Sequence, residues 1–233
     1  MGRVVFIADF FAEHILGGGE INNEEVINIL NTSDHVVTKH QSHLVTADFI
    51  NSNLNCFFIV GNFINLPPSA KEALMDAQYV IYEHDHKYLI NRNPALYENF
   101  CAPREEIVNY NFYKRAKAVL CQSSFHKEIV EKNLDLDNIV SLGGNLWSTE
   151  HLDLMENLAK TKKLNKYSIM QSSIPHKNTA AAIRYCKVKN LDYELIPPLP
   201  YTQFLERLGA NTTMVFFPQT PETLSRIVVE ARM

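Results

Sequence analysis

The sequence predicts an α/β protein made of two doubly wound, parallel-sheet domains, residues 1–147 and 148–233, with the second incomplete. Three observations predict it. Short apolar runs alternate with helix-length stretches along the whole chain, as in successive strand–helix–strand units. The strand candidates at 3–8, 56–61 and 79–83 are nearly continuous in apolar residues, which fits strands covered on both faces. The alternation pauses once, over the polar segment 148–163, and then restarts.

In the first domain the expected strands cover residues 3–8, 35–39, 56–61, 79–83, 118–122 and 139–142. Gly17-Gly18-Gly19 precedes a helix over 20–30, and Pro67-Pro68-Ser69 opens another that runs to Ala77. Ser123-Ser124 caps a third helix, whose apolar positions are Phe125, Ile129, Val130 and Leu134. The segment 148–163 reads as a linker helix. In the second domain strands are expected over 167–170, 193–196 and 214–217, with helices over 178–189, 202–208 and from Leu224 onward. Three strands fall short of a second doubly wound half, and the last helix meets Arg232-Met233 still running, so the expectation is a cut domain.

Composition narrows the function. At 233 residues and 46% apolar content the chain has enough apolar side chain for a real core, which excludes a disordered tail. A formal charge of −4 without a basic block makes nucleic acid an unexpected partner. Four cysteines without C-x-x-C spacing fit a reducing compartment, and the apolar run after Arg3 is too short for a signal peptide before Asp9 interrupts it, so the expected location is the cytoplasm. No G-x-G-x-x-G and no acid closing the second strand are present, which disfavours NAD.

Several short segments carry candidate chemistry. Phe216-Phe217-Pro218-Gln219-Thr220-Pro221-Glu222 leads from a strand through a turn toward a helix, and Glu230 follows eight positions later inside the apolar stretch Ile227-Val228-Val229. A charge there requires partners, because burying it alone is costly. Ionised carboxylates suit sugar and ribose hydroxyls, since charge-assisted bonds contribute roughly 1.5–3 kcal/mol each. Ile174-Pro175-His176-Lys177-Asn178 sets Lys177 at an expected helix start, where free amides already favour phosphate. Gly18 and Gly19 permit close backbone approach by an anion or an acceptor. His84 and His86 lie in Tyr82-Glu83-His84-Asp85-His86, at the carboxyl end of a strand, where open α/β sheets place ligands. A His-x-His pair is also a metal-ligand spacing, but no further ligand cluster accompanies it, so no metal is expected.

The Glu222–Glu230 segment resembles the Glu-x7-Glu signature of retaining glycosyltransferases of the GT-B fold, particularly the family-4 group. The resemblance extends in order along most of the chain. It takes in the glycine loop, His84, the Ser123-Ser124-Phe125 helix start, the Gly143-Gly144-Asn145 turn and Lys177. It implies two Rossmann-like domains facing a cleft, and metal-independent, retaining transfer of a hexose from a nucleoside diphosphate sugar to an acceptor hydroxyl. That sugar is a co-substrate, and no cofactor is implied. The implied roles are Glu222 and His84 at the transferred sugar, with His86 as a second contact, and Glu230 at the ribose. Lys177, Ser225, Arg226, Gly18 and Gly19 line the donor, with Lys177 at the diphosphate. The acceptor is left open among glycan, lipid and small molecule, with peripheral membrane contact arising only through a lipid acceptor. The family usually has Gly-Phe-Gly or Phe-Gly where this chain has Thr223-Leu224-Ser225, and an Arg where Ser172 or Ser173 stands. A non-catalytic nucleotide-sugar-binding remnant and a sugar epimerase on the same fold are the alternative readings.

Overall fold

The computed structural model describes residues 2–233. The chain divides into two compact units, Met1–Leu146 and Trp147–Met233. Trp147 thus belongs to the second unit, where its side chain is engaged.

The first unit runs β1 (Gly2–Ala8), α1 (Gly18–Thr32), β2 (His35–Gln41), α2 (Ala47–Asn51), β3 (Phe57–Val60), α3 (Pro68–Leu74), β4 (Gln78–Glu83), α4 (Tyr110–Arg115), β5 (Val119–Cys121), α5 (Ser124–Leu134) and β6 (Ile139–Ser141). The six strands form one sheet in the order β2-β1-β3-β4-β5-β6, with every neighbouring pair parallel. Alternate residues of β1 feed opposite faces: Val5 and Ile7 join one buried cluster, while Val4, Phe6 and Ala8 join another. Both faces are covered, so the strand shows no polar alternation. The strand order reverses between β1 and β3, the switch point at which such sheets leave a crevice beyond their carboxyl ends.

α2 and α4 have no counterpart in the sequence-based expectation. α2 has five residues and α4 six, too short for a helical apolar period to stand out. α5 follows its reading, since the Ser123 side chain accepts from the His126 amide and Ile129, Val130 and Leu134 are buried.

The second unit runs α6 (Thr149–Ala159), β7 (Leu164–Met170), α7 (Thr179–Val188), β8 (Tyr193–Ile196), α8 (Tyr201–Gly209), β9 (Asn211–Met214) and α9 (Arg226–Glu230). Its parallel sheet has the order β8-β7-β9. Ile169, Ala182, Cys186 and Val215 form one core cluster, and Ile196, Leu208 and Ile227 another. Two expectations are corrected. The third strand lies over Asn211–Met214 rather than 214–217, because Asn211 is drawn in by Ser168 and Glu194, its Nδ2 bonding to each at 2.9 Å. The later residues bind a turn instead, with the Gln219 amide donating to the His176 carbonyl at 2.8 Å and Asn178 Nδ2 donating to Phe217 O at 3.0 Å. The last helix starts at Arg226, behind Ser225 as N-cap, and closes at Glu230, so Glu222 lies in the preceding loop and not at a helix mouth.

Candidate functional site

Each unit gathers its candidate residues beyond the carboxyl ends of its own strands. In the second unit the chain passes from β7 to β8 on one side and then to β9 on the other, so the strand order switches between β7 and β9. The loops after those two strands carry Lys177 and Glu222, and the tertiary structure brings them together. Lys177 Nζ donates to Glu222 Oε1 at 2.9 Å and to Oε2 at 3.2 Å, with both side chains about one-fifth to one-quarter exposed. Lys177 closes the 3-10 turn Pro175–Lys177, and Asn178, in left-handed conformation at φ 54°, separates it from α7. It therefore precedes the helix instead of beginning it. Its ammonium also lies 5.7 Å from the Phe216 ring centroid.

Arg226 and Glu230 meet in a second, buried cluster. Glu230 Oε1 accepts from Trp147 Nε1 at 2.9 Å and from Tyr201 Oη at 2.5 Å, and Arg226 Nε lies 3.3 Å from the same oxygen. The guanidinium stacks against Trp147, 4.5 Å from its centroid, and donates through Nη2 to Tyr201 Oη at 3.0 Å. Burial first, and then the charge of Glu230, raises the Tyr201 phenol well above its ordinary range, so it stays a donor. The charge among apolar residues noticed in the sequence is thus answered by partners from α9, α8 and the residue that opens the unit. Ser225 serves as N-cap of α9 without a side-chain capping bond.

In the first unit Asp9, just past β1, ties three strand-end loops together. It accepts from the Ser42 hydroxyl and from the amides of Ile64 at 2.9 Å and Asn65 at 3.0 Å. Gly18 and Gly19 open α1, and a β-carbon on Gly19 would stand 3.7 Å from the His84 ring. His84 follows β4, bonds Asn23 Oδ1 through Nε2 at 2.8 Å and is held neutral, its pKa lowered to about 4 by burial and by the Lys87 charge. His86 is directed elsewhere: it is buried, its Nδ1 lies 3.1 Å from Tyr88 Oη, and its ring packs against His126 with centroids 5.0 Å apart.

Beneath the histidines lies an ion-pair network that motif reading missed. Lys87 Nζ bonds Glu83 at 2.9 Å and Asp85 at 2.7 Å, and the Tyr113 hydroxyl donates to Glu83. Burial alone would raise the Glu83 pKa, but Lys87 and Tyr113 overcome it and hold the carboxyl far below the carboxylate range. The available signal was a Lys four residues after a Glu at a strand end. Among the described residues no group of three His, Cys, Asp or Glu side chains is placed to hold a metal ion. Among the described residues no helix is long and apolar enough to cross a membrane.

No protein-family model matches the chain, and no curated protein matches it. Solved structures do. An α-glucosyltransferase in complex with UDP and a 13-mer DNA containing an HMU base matches at TM-score 0.54 and 10% identity, over 98% of this chain and 77% of that one. An α-glucosyltransferase (AGT) in complex with UDP matches at 0.52 and 10%, over 99% and 78%. Anabaena HepE in complex with UDP and glucose matches at 0.55 and 12%, again over 99% and 78%. At such identities the likeness is one of fold: the chain has the α/β architecture of GT-B glycosyltransferases, with two Rossmann-like domains of which the second is the smaller.

Proposed function

We propose that the protein is a glycosyltransferase that moves a hexose from a nucleoside diphosphate sugar to an acceptor hydroxyl, with retention and without a metal. The observation that carries this reading is the meeting of Lys177 and Glu222 at the switch point of the second sheet, in a chain that shares its fold with UDP-bound glucosyltransferases. Lys177 is a compact cation that a diphosphate would draw away from Glu222. Its departure frees both Glu222 oxygens for sugar hydroxyls. The charge developing on the leaving diphosphate is then met by Lys177 and by the loop amides before α7, a fixed electrostatic arrangement. His84 is assigned to the transferred sugar as a neutral imidazole, and Glu230 to the ribose. The bonds that Glu230 receives from Trp147, Tyr201 and Arg226 fall on Oε1.

A second reading is a nucleotide-sugar-binding protein that does not turn over. It is favoured by the internal pairing of Glu222 and Glu230, each already bonded to a cation of its own unit. Two measurements separate the readings. Calorimetric titration with UDP and other nucleoside diphosphates should show binding that Lys177→Ala weakens, and incubation with a panel of nucleotide sugars should release nucleoside diphosphate. Binding without release across the panel sinks the transferase and leaves the binding protein. Absence of nucleotide binding sinks both.

A further inference from the structure

The strand-end loops of the second unit, residues 171–178, 197–200 and 215–225, hold one Lys, no Arg and six of the chain's ten prolines. The one cation is Lys177. Each proline fixes its own φ and so reduces the conformations these loops would otherwise visit. A diphosphate met by a single ammonium gains most when that ammonium is already in place, because binding then carries no cost of ordering the loop.

Hydrogen bonds on both sides of Lys177 decide where it stands. The residue before it accepts through His176 O from the Gln219 amide at 2.8 Å, and the residue after it donates through Asn178 Nδ2 to Phe217 O at 3.0 Å. The loop after β7 is thereby stapled to the loop after β9, the one that carries Glu222. Thr179 closes the same loop onto its own strand, with Oγ1 donating to Met170 O at 3.0 Å and accepting from the Ser172 amide at 3.1 Å. The Gln171 amide in turn donates to Ile196 O at 2.8 Å, at the end of β8.

Asn178 supplies two things at once. Its backbone, at φ 54° and ψ 40°, is left-handed and turns the chain from the 3-10 turn into α7. Glycine and asparagine enter that region with little strain. Glycine would bring no side chain and aspartate no N–H, so the tie to Phe217 O depends on the asparagine itself.

We infer that Asn178 is a positioning residue for the donor's diphosphate. It acts through Lys177, holding that residue's backbone opposite Glu222 before any ligand arrives. Resting on the transferase reading, this role makes the diphosphate cradle a preformed one, in which the nucleotide turns the Lys177 side chain and leaves the loops where they are.

The test is calorimetric titration of UDP into the full chain as parent, Asn178→Gly, Lys177→Ala and the double variant, with hydrogen exchange of the Gln219 amide measured on the parent and on Asn178→Gly without ligand. Asn178→Gly keeps the left-handed backbone and loses only the tie. It should weaken UDP binding about 3- to 10-fold, which is what the net contribution of one hydrogen bond amounts to. Exchange at Gln219 should quicken about three-fold or more, while the melting temperature stays within about 2 °C of the parent. In the Lys177→Ala background the same change should leave affinity as it is, a coupling that a residue serving the fold alone would not show. The inference is overturned if Asn178→Gly binds UDP as the parent does, if its effect adds in full to that of Lys177→Ala, or if exchange at Gln219 is unaltered. A parent chain that binds no nucleoside diphosphate overturns the transferase reading and this role together, whereas parent binding that Asn178→Gly leaves intact overturns this role alone.

Discussion

The ammonium of Lys177 lies between both oxygens of Glu222, at 2.9 and 3.2 Å, and it joins two loops that leave neighbouring strands of one small sheet. A partly exposed pair of this kind contributes about 0–1 kcal/mol, so its value to the fold is small and its chemistry is free to serve a ligand.

Lys177→Ala should therefore leave the melting temperature nearly unchanged while weakening nucleoside diphosphate binding by about 10- to 100-fold, the loss of a charged contact to phosphate. Glu222→Gln should act in the opposite direction on binding. With its ion pair loosened, Lys177 is more available, and UDP affinity should stay equal or rise while sugar transfer falls by at least about ten-fold. Calorimetry and a nucleotide-release assay on the two variants test this divergence.

Glu230 behaves differently because it is buried. Glu230→Ala strips the acceptor from Trp147 and Tyr201 and takes the carboxylate away from the buried Arg226, which should cost about 3–5 kcal/mol. Trp147 is the only tryptophan, so its emission reports the second unit alone. The variant should show red-shifted emission and an earlier urea transition by fluorescence. Glu230→Gln, which preserves the shape and one acceptor, should lose less.

Lys87→Met should leave Glu83 as an uncompensated buried charge, at a cost of about 3–5 kcal/mol in urea unfolding at neutral pH. The Glu83 carboxyl is depressed in the folded state, so its share of stability is present above its ordinary value of 4.5 and disappears as the pH falls toward the folded value. Lys87 is raised above 10.5, so its share is complete below that pH and fades as the pH rises past it. The deficit of the variant should therefore shrink in acid.

His84 and His126 are both held neutral, His84 by burial and the Lys87 charge and His126 by burial and the neighbouring His86, with pKa values lowered from 6.5 to about 4 and about 3. Unfolding lets both take a proton, so stability should fall as the pH drops below 6.5, by up to about 1.4 kcal/mol per pH unit for each histidine. His126→Gln should remove roughly half of that slope, measured by denaturant titrations across the window.

The fold class was legible because it rests on local signals. Apolar runs at β1, β3 and β4, the serine cap of α5 and the polar pause that holds α6 each belong to consecutive residues. β9 was misplaced by three residues because Phe216 and Phe217 are better strand formers in isolation than Asn211 and Thr212, and only the Ser168 and Glu194 side chains from other strands draw Asn211 into the sheet. The residues of the candidate site were legible as types, not as partners. Glu222, Lys177 and His84 stand out by residue type and by position after strands.

By itself the sequence determined the alternation of strands and helices, hence a layered α/β protein, and the presence of a charge at Glu230 that would need an answer. Only the tertiary structure decided what answers it, since Trp147 and Tyr201 lie 83 and 29 positions away along the chain. It also decided that Glu222 faces Lys177 across 45 positions. The physical reason is that helix and strand periods are set by neighbouring residues, whereas the partner of a charge is set by which strand ends the sheet order brings side by side.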